Sequence, residues 1–188
     1  MNMRIFLSVL ALIFSLQSWT KADDIKDFEI EGISIGDKLS EHFSKKEIKS
    51  STDESTSDRI YIVNSFYNLN LDLYEAVQIS YKNSDQNKVI VGIGGVLDFP
   101  NDINSCKKEM YKIAAQLESI FPNSVKKDWG KYKMPTNEGH YFPITFDLDD
   151  MSRAMVSCQD WNKNTNINDN LKVSLFSYDY SEYLKRQN

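Results

Sequence analysis

Hydrophobic residues recur along this chain with two distinct periods. Residues 73–82, 139–148, 152–161 and 171–180 line one face with apolar side chains, the pattern of strands packed on a core, although Glu75 breaks the row in the first. Residues 59–67 also predict a strand, with Ile60, Ile62, Asn64 and Phe66 on one face and Tyr61, Val63 and Tyr67 on the other. The run VIVGIGGVL at 89–97 is apolar on both faces, as in a central strand, and Gly92, Gly94 and Gly95 within it predict a bulge or a close backbone approach. A helical period appears over Ile103, Cys106, Met110, Ile113, Leu117 and Ile120. Pro100, Asn101 and Asp102 open that helix and Pro122 stops it.

Shorter elements fill the rest. Residues 27–36 predict a short strand or extended arm punctuated by Gly32 and Gly36, and Asp37 is placed to cap a short helix through Leu39 and Phe43. Ser44 with Glu47 three residues on has capping-box spacing for a second short helix. The stretches 49–58, 82–88, 123–138 and 162–170 are polar and aperiodic and predict loops or turns, and the last residues, SEYLKRQN, predict a fraying end. The order is thus helix and three strands, then helix and three strands. It predicts an α+β fold, an antiparallel sheet of about six strands with helices on one face.

The first 22 residues stand apart. Arg4 precedes an apolar run from Ile5 to Leu16, and Thr20, Lys21 and Ala22 follow as a small-x-small site. This is the layout of a secretory signal peptide, and the run is shorter than the about 20 apolar residues of a membrane span. The expectation is a signal peptide at 1–22, a mature chain starting at Asp23, and one α+β domain over 23–188 in the periplasm or the external medium. Without Arg4 and Lys21, 27 acidic residues face 20 basic ones. That balance argues against nucleic-acid binding, which needs clustered Lys and Arg.

Export changes the reading of the two cysteines. An oxidising compartment favours a Cys106–Cys158 disulfide, with buried free thiols or a redox pair as the alternatives, although no C-x-x-C is present. Cys106 lies on the apolar stripe of the long helix. Cys158 shares its strand face with Ala154 and Val156, so both point into the layer between helix and sheet.

The segment DFEIEGISIGDKLSEHFSKKEIK at 27–49 resembles the start of a family of small exported hypothetical proteins from marine alphaproteobacteria, whose members show F-x-IEG-x-SIGDSLL and then an F-S-x-x-E-I helix after a signal peptide. IEGISIGD at 30–37 carries the likeness, with Lys38 in place of the usual Ser and Ser40 in place of the second Leu. DINSCKKEM at 102–110 and SCQDW at 157–161 resemble the family's two cysteine regions. The resemblance implies export and a single α+β domain and carries no activity.

Candidate chemistry is sparse. His42 and His140 lack the H-E-x-x-H or H-x-x-x-H spacing that places metal ligands on one face, so no metal or other cofactor is expected. G-x-S-x-G is absent, and GIGG at 92–95 lacks the remainder of a dinucleotide-binding fingerprint. Asp147, Asp149, Asp150 and Asp160 are suited to turns before they are suited to a cation. KKDWGKYK at 126–133 combines four Lys with Trp129 and Tyr132, a composition that can stack on a ligand. With Val156, Cys158, Val173 and Leu175 facing the helices, the opposite sheet face is expected to present Tyr141, Met155, Trp161, Phe176 and Tyr178, joined by Tyr61 and Tyr74. Such rings give large contact area at low entropy cost. The sequence therefore points to an exported, non-enzymatic binding module for a protein or small-molecule partner. The alternative is a periplasmic hydrolase built around Asp147, Asp149 and His140.

Overall fold

The computed structural model describes residues 24–52, 60–67, 70–134 and 137–186. The expected signal peptide at 1–22 and the mature start at Asp23 lie outside the described residues.

A 3-10 turn at Ile25–Asp27 leads into the hairpin β1 (Glu29–Ile30) and β2 (Ile33–Ser34), then two short helices, α1 (Leu39–His42) and α2 (Lys45–Ser51). Strands β3 (Tyr61–Tyr67), β4 (Ala76–Lys82) and β5 (Ile90–Asp98) follow. The long helix α3 (Ile103–Ile120) separates them from β6 (Val125–Asp128), β7 (Tyr132–Lys133), β8 (Gly139–Asp147), β9 (Arg153–Trp161) and β10 (Asn170–Phe176), and α4 (Tyr178–Lys185) ends the chain. The main sheet runs β3-β4-β5-β10-β9-β8-β6, with β7 also on β8, and every pair is antiparallel.

The fold is therefore α+β, with eight strands in the sheet instead of about six. The extra pair, β6 and β7, comes from the stretch 123–138, expected to be a loop. Its residues Val125–Asp128 are all exposed, so no apolar alternation marks them; pairing to β8 alone makes them strand. Lysines on so short an edge also discourage further strand addition.

Each half contributes a meander, and β5 and β10, the last strand of each, pair at the centre. One face of the sheet packs on the helical layer. There Ile62, Phe66, Val77, Ile79 and Ile93 meet Val156, Leu171, Val173 and Leu175 in one buried cluster with the N-terminal hairpin, Leu39 and the apolar stripe of α3. Phe43 stacks on Phe66 with ring centroids 3.8 Å apart, and Phe28 meets Phe121, just past α3, at 4.6 Å.

Local sequence explains the elements. Asp102 accepts the amide of Ser105 and so caps α3, whose buried residues are Cys106, Met110, Ile113, Ala114 and Leu117. Ser44 and Glu47 form the expected capping box of α2. Asp37 takes another role: α1 begins one residue later than a cap at Asp37 requires, and that carboxylate accepts the amide of Ser34. Glu31 and Gly32 turn the β1–β2 hairpin with φ of 56° and 73°, a left-handed pair that glycine makes accessible.

Cys106 and Cys158 form the disulfide, with Cα atoms 6.0 Å apart, and bind the first turn of α3 to β9. No helix among the described residues is long and apolar enough to cross a membrane.

Candidate functional site

The face of the sheet turned away from α3 is where the expected binding residues converge or fail to converge. Strand alternation puts Tyr141, Met155, Trp161 and Phe176 on this face, opposite Ile144, Val156, Cys158 and Leu175. Tyr141, Met155 and Trp161 are half-buried.

Phe176 and Tyr178 require correction. Phe176 is only 8% exposed, because α4 folds back over it. Tyr61, Phe176 and Tyr180 form a second small core with Val91, Met155, Tyr183 and Leu184 around them. Tyr178 is not in β10 at all; it opens α4 and is 43% exposed. Phe176, Tyr178 and Tyr180 alternate like a strand, yet Tyr180, Tyr183 and Leu184 also share one helix face, and burial against Phe176 and Gly92 selects the helix. The expectations of a fraying end and of helices on one face only are corrected by the same element. Tyr61 joins this covered cluster, and Tyr74 lies on the other side of the sheet, buried against Gly95.

What stays open lies over β8 and β9. Trp129 reaches the outer face and donates its indole N–H to Thr145 Oγ1 at 2.9 Å. Tyr132 packs edge-on to Trp129 at 6.2 Å and meets Tyr141 at 5.6 Å, and Lys127 Nζ sits 3.3 Å from the Trp129 ring centre. The basic-aromatic stretch and the aromatic sheet face, two separate signals in the sequence, thus become one surface. Trp161 adds an indole N–H with no hydrogen-bond partner among the described residues.

Beside this surface the outer face turns polar. Lys172 on β10 lies over Gly94, where a Cβ would stand 2.6 Å from its Cε, and the buried hydroxyl of Ser174 points at the same spot from 3.0 Å. Lys172 Nζ donates to Gln78 Oε1 at 2.5 Å, and Gln78 Nε2 donates to Ser65 Oγ at 3.1 Å, so the amide is oriented to receive the amine. Lys172 forms no ion pair among the described residues. Burial alone pulls its amine down to about 8 from the ordinary lysine value. Ser174 Oγ has no hydrogen-bond partner among the described residues. Neither residue carries a sequence signal, since an alternating Lys in a strand reads as a solvated position.

The three glycines of GIGG serve close approach: Tyr180 lies over Gly92, Lys172 over Gly94 and Tyr74 over Gly95. The expected bulge is present as well, as a register shift opposite Ser80 and Tyr81.

The residues of the hydrolase alternative are not brought together. Asp147 pairs with Arg153 at 2.6 Å, and Asp150 accepts both the amide and the hydroxyl of Ser152 in the turn that follows. His140 stands seven residues along β8 from Asp147, about 23 Å of strand, on the opposite face. Asp149 is exposed in the turn, and Asp160 pairs across strands with His140.

A different cluster escapes a search by spacing. Asp37, Glu41 and His42 bring three potential ligand atoms within 4.8 Å of one another. His42 Nε2 is 2.8 Å from Asp37 Oδ2, and Glu41 accepts the amide of Lys38 at 3.2 Å, so these groups secure the turn into α1.

Comparison of the chain with protein families, with curated proteins and with solved structures finds no match.

Proposed function

We propose that this protein is an exported, non-enzymatic binding module, working in the periplasm or the external medium, that holds its partner on the open part of the outer sheet face. The observation that supports this reading most directly is the aromatic group Trp129, Tyr132 and Tyr141, left uncovered although α4 covers the adjoining apolar patch. Rings held by neighbours on a rigid sheet contribute contact area with little entropy lost on binding. The disulfide and the absence of a membrane-crossing helix among the described residues are compatible with export.

The test compares capture from a periplasmic extract by the folded wild-type protein and by Tyr132→Ala/Tyr141→Ala. Tyr132 is exposed on the short edge strand β7 and Tyr141 is half-buried beside it on β8, so the variant is compared with wild type only after circular dichroism and melting show that it is folded. A molecule retained by wild type and lost by the variant supports the reading. Identical capture by both proteins overturns it.

A further inference from the structure

We infer that the outer face takes a small carboxylic acid with an apolar body, its carboxylate at Lys172 and its body lying toward Trp129. This deepens the binding reading above and rests on it, since both use one face.

The Lys172 ammonium has no counter-charge among the described residues. A lysine packed down on a sheet keeps its ammonium only where something replaces the lost water. Here the replacement is one neutral acceptor, Gln78 Oε1, for a group with three donors. Within the same spot the Ser174 hydroxyl belongs to a residue that is 0% exposed and has no partner among the described residues. An incoming carboxylate offers acceptors for both. Drawing Nζ off Gln78 also uncovers Ser174, because the lysine side chain lies over Gly94 beside it. The other side chains of this row are neutral: Val96 and Ser157 stand directly across from Lys172 on the two neighbouring strands, and Pro143 follows on β8.

The next row fixes the length and character of the ligand. Lys172 Nζ rests on the far side of β10, over Gly94 toward Gln78, so the span is measured from Ser174, where the amine drawn off Gln78 and the hydroxyl meet the carboxylate. From Ser174 the face crosses Met155 and then Thr145, two strand spacings or about 10 Å, to the Trp129 indole bonded to Thr145 Oγ1. Buried Pro143 borders this path on β8, and Trp129, Tyr132 and Tyr141 close its far end. A monocarboxylate with a chain or ring spanning about 10 Å matches one cation at one end and aromatic faces at the other.

The experiment titrates the mature protein with 4-phenylbutyrate, with its neutral amide and with sodium chloride, following tryptophan fluorescence and the ¹³Cε resonance of Lys172. The acid is expected to give saturable changes in both signals, and the amide to bind at least tenfold more weakly. Lys172→Met is expected to lose that preference, and Lys172→Arg to keep it within a few-fold, with circular dichroism showing both folded. Equal binding of acid and amide, or a Lys172 response that chloride reproduces, overturns the carboxylate assignment while leaving the aromatic surface to its capture test. Absence of any saturable response to the acid overturns it too. Tyr132→Ala/Tyr141→Ala is expected to bind the acid at least tenfold more weakly while keeping the preference for acid over amide; unchanged affinity in that variant overturns the placement of the apolar body toward Trp129.

Discussion

Tyr180 rests on Gly92: a Cβ on that glycine would stand 2.7 Å from the tyrosine ring. The phenol continues past the strand to meet the Ser80 hydroxyl at 3.0 Å. This contact seats α4 on the outer face. Gly92→Ala is expected to push the ring off and destabilise the fold by about 1–3 kcal/mol, the range of core overpacking. Because both changes act on one contact, Gly92→Ala combined with Tyr180→Ala should lose less than the sum of the single losses. Urea denaturation of the four proteins checks the cycle, and simple additivity excludes the contact.

The neighbouring residues separate two roles that look alike in sequence. Phe176→Ser removes a ring that is 8% exposed and should destabilise by about 3 kcal/mol. Tyr178→Ser, at a position 43% exposed, should change stability by less than about 0.5 kcal/mol. Thermal melting of the two variants decides; equal effects would place both rings in the same environment.

These positions show how far the sequence could be read. The long helix, the face shared by Cys158 and Val156, and the central apolar strand follow from period alone, because each buries a continuous stripe that only one geometry satisfies. α4 does not follow, since its aromatic residues fit both periods and only the surface beneath them decides. β6 and β7 do not follow because no side of them is buried. Half of the candidate surface is legible as aromatic residues. Its Lys172 end is not, because the feature that sets it apart is a neighbouring glycine and a missing counter-charge, neither visible along one strand.

The disulfide joins the first turn of α3 to β9, across 52 residues of chain. In the loop-closure view such a link stabilises by about 4 kcal/mol, and measured values are often smaller. The protein isolated from an oxidising compartment should gain the mass of two hydrogens on reduction. The Cys106→Ala/Cys158→Ala variant should unfold at lower denaturant and should be insensitive to reductant. A mass unchanged by reductant would exclude the bond.

Glu31 carries a second long-range link. Its carboxylate accepts the amides of Asp72, Leu73 and Tyr74 at 2.8–3.0 Å, tying the β1–β2 turn to the segment entering β4. Hydrogen bonds to a charged acceptor are worth about 1.5–3 kcal/mol each, and cooperative loss of three leaves the amides to find water. Glu31→Ala is therefore expected to destabilise by at least about 2 kcal/mol, and Glu31→Gln by less, since one oxygen remains to accept. Amide hydrogen exchange should rise first at 72–74. Unchanged protection there would show that the contact does not hold the segment.

Lys172 gives the fold a measurable dependence on pH. Burial brings its amine from 10.5 to about 8 in the folded chain, so between those values the unfolded chain holds a proton that the folded chain has released. Unfolding then takes up a proton, and stability contributed by this residue rises with pH through that window; below about 8 both states are charged and the residue exerts a constant penalty. Relative to Lys172→Met, the wild-type protein should gain on the order of 2 kcal/mol as pH climbs from the lower value toward the upper, since each tenfold difference in proton affinity between the two states is worth about 1.4 kcal/mol. Every other titratable group is common to both proteins and cancels in the difference. Urea titrations of the pair from about pH 8 upward, over little more than one pH interval, suffice to see the sign. A flat difference would mean that the amine keeps its ordinary basicity, and with it the water that the carboxylate is argued to replace.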